Sequence, residues 1–447
     1  MTINNNNYLK LVLIHIGIGG IVYFLPFLAK ILTILIFVCS VLILIKTRNK
    51  NNEALYLAAY IVGVEVFLRM TGGMIFNEYG KYSVMIYMLI GMVYSGFSKN
   101  AIIYWLFIVL LIPGIVVSTV TLSYEANLRK AIAFNISGPV CLGVASVYCY
   151  RRQITKQQLL NLLPAFSLPI VTVITYLFLY TPSIRDVVTG TQSNFETSGG
   201  FGPNQVSTIL GLGTFLFFTQ FLLNSPTRKI QIINISLTLL AAYRGIVTFS
   251  RGGMFTGCAM ILLLIIIVYF MLNKNGKSKM SVIFIFSLVA TLGVWTYSSY
   301  QTSGLIDKRY ANEDALGRQK QSKLSGREDL IKTEIQMFVD HPFLGIGVGK
   351  NKEYRQELTG VELATHNEIT RMLAEHGLLG VIGLLILFIT PLTLYLDNKH
   401  HFLLLSFFAF WLLTINHAAM RMAAPAFVYA LTLLKVYPDE KTVVHRE

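Results

Sequence analysis

Charge is what this sequence has least of. Only 13% of its 447 residues are Asp, Glu, Lys or Arg, while 54% are apolar, too little polar surface for a soluble globular chain. Acidic residues are the scarcer kind, 22 against 37 basic ones, for a formal net charge of +15. In a soluble protein that excess would point to nucleic acid. Here the Lys and Arg residues collect in short connectors, which argues against a nucleic-acid partner. It reads instead as the positive-inside bias of a membrane protein, with membrane lipids as neighbours. Cysteine is equally scarce. Cys39, Cys141, Cys149 and Cys258 are scattered inside apolar runs, spaced for neither a disulfide framework nor a zinc site, and read as buried free thiols. His-x-x-x-His and paired-carboxylate motifs are missing from the polar segments, and Asp307, Asp314, Glu328 and Asp329 lack the spacing of a calcium loop. No metal and no cofactor is expected.

What the chain does have is a series of apolar runs of about 17–22 residues, matched at 1.5 Å per helical residue to the roughly 30 Å hydrocarbon core. Only helices and closed barrels satisfy their backbone in lipid, and these continuous runs lack the alternation of barrel strands. The expected fold is all-α: a polytopic transmembrane helical bundle of about 12–14 spans with one large, partly helical loop on its outer side. Spans are expected near 8–27, 29–46, 54–72, 82–98, 101–120, 131–150, 159–181, 206–223, 230–248, 254–272, 281–299, 377–396, 401–416 and 420–435. The first reads as an uncleaved span. Basic connectors then fall on every second loop: Lys46 to Lys50, Arg151 to Lys156, Arg228-Lys229, Lys274 to Lys279, and Lys399. That alternation puts both termini in the cytoplasm. It divides the chain into a bundle over 1–299, an outer loop over 300–376, C-terminal spans over 377–436 and a tail over 437–447.

The outer loop is the one long polar island. Residues 326–339 have helical periodicity, with Leu330, Ile331, Ile335, Phe338 and Val339 on one face, so this helix either lies on the membrane or packs on the bundle. Pro342 and the following glycines end it. Thr365-x-x-Glu368 fits a capping box, which puts His366 at the first helical position. There the helix dipole disfavours an imidazolium, and a neutral imidazole suits a general base beside a phosphate-bearing substrate. The bland alternative is a loop histidine that helps cap the helix. Arg327 in the island and Arg251 in Ser250-Arg251-Gly252-Gly253 suit bidentate contact with phosphate, or else snorkel to headgroups. Gly345, Gly347 and Gly349 either offer N–H groups to a phosphate or simply make turns. Gly199 to Gln205 reads as a loop re-entering the membrane with Asn204 capping the next span. Glu65 and Arg69, four apart inside a span, read as an internal salt bridge.

Gly-Phe-Gly-Pro-Asn-Gln ending at Gln205, Ser-Arg-Gly-Gly at 250–253, Ser-Gly-Arg at 325–327, His-Pro-Phe-Leu-Gly-Ile-Gly at 341–347, His-Asn-Glu-Ile from His366 and Leu-Ala-Glu-His-Gly from Leu373 occur in this order. Together they resemble the O-antigen ligase/O-antigen polymerase superfamily of bacterial envelope glycosyltransferases, over roughly residues 200–385. The resemblance implies a metal-independent GT-C type transferase in the bacterial inner membrane, active at the periplasmic face. Its donor would be a glycan on undecaprenyl diphosphate and its acceptor lipid A–core oligosaccharide or another glycan. It also implies His366 as the catalytic residue and Arg251 and Arg327 as diphosphate ligands, with Asn204, Asn367, Glu368, Gly345 and Gly347 as further site candidates. The arginine that some relatives carry just before the glycine-asparagine motif is missing, and Arg185 or Arg421 is the candidate replacement. The acceptor stays open between ligase, repeat-unit polymerase and protein O-oligosaccharyltransferase. From another class, a lipid-linked glycan flippase is the rival reading; it predicts charged or broken helices at mid-membrane.

Overall fold

The computed structural model of the chain describes residues 5–124, 127–320, 327–360, 363, 365–417 and 420–438. Every apolar run forms a helix. The first seven are α1 (Asn5–Phe24), α2 (Leu28–Thr47), α3 (Glu53–Met70), α4 (Tyr79–Ser95), α5 (Ile102–Thr121), α6 (Leu128–Cys149) and α7 (Lys156–Tyr180). Four more precede the island: α8 (Pro203–Leu223), α9 (Arg228–Ile246), α10 (Arg251–Met271) and α11 (Lys274–Gln301). The island holds α12 (Leu305–Tyr310), α13 (Arg327–Asp340) and α14 (Asn351–Thr359). After it come α15 (Glu368–Asp397), α16 (Leu404–Ile415) and α17 (Ala423–Leu431). Sequence periodicity finds α13 but not the short α12 and α14. It also misses a two-stranded parallel pair, β1 (Gln153–Thr155) with β2 (Lys435–Tyr437), which pins the C-terminal segment to the α6–α7 connector.

Among the described residues nine helices are long and apolar enough to cross a membrane, and the chain is a multi-pass membrane protein. Burial varies widely along the bundle. α8 is buried nearly throughout, whereas over the whole of α11 only Met280 and Ser298 are buried. Cys39 and Cys258 are exposed on the apolar outer surface, contrary to the expectation of buried thiols; Cys141 and Cys149 are buried.

The last two helices are the chief departure from the expected spans. α16 and α17 are about 18 and 14 Å long at 1.5 Å per residue, short of the roughly 30 Å core. The chain leaves α16 at Asn416 and enters α17 at Ala423, which is buried, as are Met420 and Met422. Irregular backbone at such depth survives only inside protein, where polar groups satisfy it. α15 is two helical stretches joined across a kink, and the Leu378 N–H leaves the helix ladder to donate to the Pro342 carbonyl at 2.7 Å. Gly377 sits at φ 58°, ψ −137°, and a Cβ there would lie 2.6 Å from the Pro342 carbonyl oxygen. The stretch 378–397 beyond the bend is about 30 Å long, one membrane thickness.

α13 packs on α15 through a face other than the expected one. Leu330, Glu334 and Met337 are buried, while Ile335 and Val339 are exposed. A buried glutamate displaces the apolar stripe because Arg355, on α14, and Thr370, on α15, both reach Glu334.

Candidate active site

Two helix starts make the first half of the site. α8 and α10 run parallel with their backbones nearly touching: a Cβ at Gly211 would lie 2.1 Å from the Gly253 oxygen. Small residues permit that approach. It brings Ser250 beside Asn204, whose Oδ1 accepts from Ser250 Oγ at 2.7 Å, and Ser207 Oγ donates to the Ser250 carbonyl at 2.7 Å. Asn204 therefore does not cap α8. Gly202 holds the N-cap position and Pro203 the first helical one, where its missing N–H costs nothing. The asparagine ties the two helix starts together, and their free N–H groups and dipoles then favour an anion at the same place.

Three cations converge here. Arg251 is the first residue of α10, and its Nη1 donates to the Arg309 carbonyl at 3.4 Å. Arg309, on α12, donates Nε to the Phe249 carbonyl (3.0 Å) and Nη2 to Ser193 Oγ (3.4 Å). Lys320 donates to Thr191 Oγ1 at 2.8 Å. Its ammonium is held below its ordinary value, first by partial burial and then by the charges of Arg309 and Arg251. Like charges that lower each other's proton affinity would be relieved by an anion between them.

The second half lies at the start of α15. The cap is Asn367, not Thr365: Asn367 Oδ1 accepts from the N–H groups of Ile369 (2.9 Å) and Thr370 (3.3 Å). His366 thus stands one residue before the cap, half-buried, and the expected argument from the first helical position does not apply to it. Glu368 is the first helical residue and is buried against Arg371. The two halves meet through the turn after α16. Asn367 Nδ2 donates to Asn416 Oδ1 at 3.2 Å. The neighbouring His417 lies 3.3 Å from Thr208 Oγ1 on α8, and its ring would strike a Cβ at Gly252. On the other flank Arg421 Nη2 donates to the Thr365 carbonyl at 2.9 Å. Asn367 and Arg421 thus make their contacts on either side of His366 in the chain, and His417 links that segment to the α8 and α10 starts that carry Asn204 and Arg251.

The glycine run is spent on packing. Ile346 N–H donates to the Ala374 carbonyl (2.9 Å), Gly347 N–H to the Glu375 carbonyl (3.3 Å) and Gly349 N–H to Glu375 Oε1 (2.9 Å). Gly345 N–H donates to the His341 carbonyl at 3.1 Å. With these N–H groups engaged, Gly345 and Gly347 act as turns and not as a phosphate cradle. Glu375 also accepts from Arg371 at 3.0 Å and Asn351 at 3.3 Å, so the Leu-Ala-Glu-His-Gly box is the socket into which the island docks. Gly345 has φ 72°, and a Cβ there would sit 2.4 Å from the Glu375 carbonyl carbon. Gly345→Ala is expected to destabilise the protein by about 1–3 kcal/mol, read as a lower melting temperature in detergent. An unchanged melting temperature would contradict this docking.

Among the described residues Arg185 makes its contacts elsewhere. Arg185 stacks on Tyr300 at 4.2 Å and donates to its carbonyl at 3.2 Å, at the end of α11. Arg327 begins α13, and its side chain lies outside the described residues, as do Ser325 and Gly326. Arg244 is buried and holds the carbonyls of Leu177, Thr181 and Thr197. Sequence reasoning passed over Arg309 and Lys320. The available signal was charge: Lys308, Arg309, Arg318 and Lys320 crowd an outer loop, where the positive-inside bias predicts few basic residues.

A family model described as O-Antigen ligase matches residues 236–385. No curated protein and no solved structure matches the chain. The matched stretch runs from within α9 through the island to the membrane part of α15, and it contains Arg251, Arg309, Lys320 and His366. The chain is thus a multi-pass membrane protein whose residues 236–385 are similar to an O-antigen ligase domain, of the superfamily its sequence motifs resemble.

Proposed function

We propose that this protein transfers a glycan from undecaprenyl diphosphate to an acceptor hydroxyl, that of lipid A–core oligosaccharide, at the periplasmic face of the bacterial inner membrane. The observation that carries the reading is the trio Arg251, Arg309 and Lys320 at two paired helix starts, joined through Asn416 and His417 to the segment bearing His366. A cavity of about 270 Å³ with a mostly apolar lining lies among α8–α11. Its wall includes Met254 and Phe255, within one turn of Arg251, and Tyr310 beside Arg309. An anionic headgroup on the cations therefore has an apolar slot below it for the first part of its lipid chain. The basic connectors occupy the opposite end of the bundle, which agrees with both termini in the cytoplasm and the island, 300–376, outside.

In this mechanism the acceptor oxygen attacks the anomeric carbon opposite the diphosphate. The C–O bond to phosphorus-bound oxygen breaks, its electron pair leaves with undecaprenyl diphosphate, and the configuration inverts. Arg251 and Arg309, joined by Arg327 from α13, neutralise the charge that grows on the leaving group. His366 accepts the acceptor's proton. Of the two candidate replacement arginines, Arg421 is favoured, because it reaches Thr365 beside His366 while Arg185 rests on Tyr300. Purified protein reconstituted with undecaprenyl-diphosphate glycan should release undecaprenyl diphosphate when lipid A–core is added. Release with a second donor molecule as the better acceptor would make it a repeat-unit polymerase. Movement of the donor across the bilayer without release would make it a flippase.

A further inference from the structure

Met420, Arg421 and Ala423 have their backbone groups held by charged side chains from three other helices. Met420 N–H is accepted by Glu368 Oε2 at 3.4 Å, and its carbonyl accepts from Lys81 Nζ at 3.3 Å. The Arg421 carbonyl accepts from Arg69 Nη2 at 3.2 Å, and Ala423 N–H, at the first turn of α17, is accepted by Glu65 Oε2 at 2.9 Å. Glu65 and Lys81 are fully buried. They are neutralised in turn: Glu65 Oε1 pairs with Arg69 at 2.9 Å, Lys81 with Glu78, and Glu78 accepts from Ser137 at 2.9 Å. Close packing fixes the arrangement, since a Cβ at Gly80 would sit 2.6 Å from the Glu65 carboxyl carbon and one at Gly138 2.6 Å from Met420 Cβ.

An ion pair that only neutralised itself would need no contact with the turn. Here Arg69 and Lys81 each make a further hydrogen bond to backbone that is neither helix nor strand, and Glu65 makes one to the first N–H of α17. That backbone carries Arg421, whose guanidinium reaches the Thr365 carbonyl beside His366. We infer that Glu65, Arg69 and Lys81 are positioning residues: they form a cradle in α3 and α4 that sets where Arg421 stands against the His366 segment. They touch no substrate. The inference rests on the proposed transfer reaction only for its effect on rate.

The test is a charge swap, Glu65→Arg with Arg69→Glu, beside the single variants Glu65→Gln and Glu65→Leu. If the pair served only to neutralise itself, the swap would restore what Glu65→Leu loses. A cradle predicts otherwise, because an arginine at position 65 cannot accept the Ala423 N–H. Hydrogen exchange of the purified full-length protein should show peptides covering 416–423 losing protection in Glu65→Leu and in the swap, with α7 and α8 peptides unchanged. Glu65→Gln retains an acceptor oxygen and should keep most of that protection. In transfer assays kcat should fall about 100-fold for Glu65→Leu, as for a misplaced reacting group, and Glu65→Gln should recover most of that loss. Unchanged exchange at 416–423, or recovery by the swap, overturns the cradle. If instead the parent protein transfers nothing, the transfer reading fails while the exchange result still stands.

Discussion

Replacing His366 by alanine is expected to lower glycan transfer by about 10²–10⁴-fold, the range for loss of a positioned general base, in a protein that stays folded. The second half of that expectation follows from the cap. Asn367, not His366, satisfies the first N–H groups of α15, so removing the imidazole leaves the helix start intact. Asn367→Ala makes the complementary control: it should cost about 1 kcal/mol of stability yet reduce transfer less than His366→Ala does. Turnover by purified variants, with melting temperature alongside, reads both. Near-parental transfer by His366→Ala would remove this residue from the mechanism.

The second large effect belongs to the cation cluster. Arg309→Ala and Arg251→Ala should each cost about 10²–10³-fold in kcat, as when one donor to a developing anion is removed. Arg251→Lys should still be impaired, because an ammonium cannot reproduce the planar fork. The two arginines are adjacent, with Arg251 bonded to the Arg309 carbonyl, so their effects should be non-additive in the double variant. A fully active Arg309→Ala protein would show that the anion site does not extend onto α12.

Much of the fold was legible because lipid imposes one rule on every span. The apolar runs and their basic connectors located all fourteen major helices. What the rule does not reach was misread. α16 and α17 look like spans by composition, but their depth is set by side chains far away in sequence, Glu65 and Lys81 among them. The face of α13 was misassigned because periodicity counts apolar residues, while the buried position belongs to Glu334, whose partner Arg355 lies on another helix. At the site, Arg251 stood out by its glycine neighbours, whereas Arg309 joins it only through the packing of α12 against the α9–α10 turn. His366 was singled out, but its helix position was wrong by two residues, since Asn367 took the cap that Thr365 was given.

The sparse packing of α11 bears on which donors the proposed transfer would accept. This helix forms one wall of the apolar slot below Arg251, while only its Met280 and Ser298 are buried. In the proposed transfer, so loosely held a wall lets a polyprenyl chain enter from the side rather than be threaded end-on, with its far isoprene units left among the lipids. Discrimination then falls on the diphosphate, the sugar and the first few units of the tail. Donors with shortened tails should be used nearly as well as full-length ones once they are embedded in a membrane.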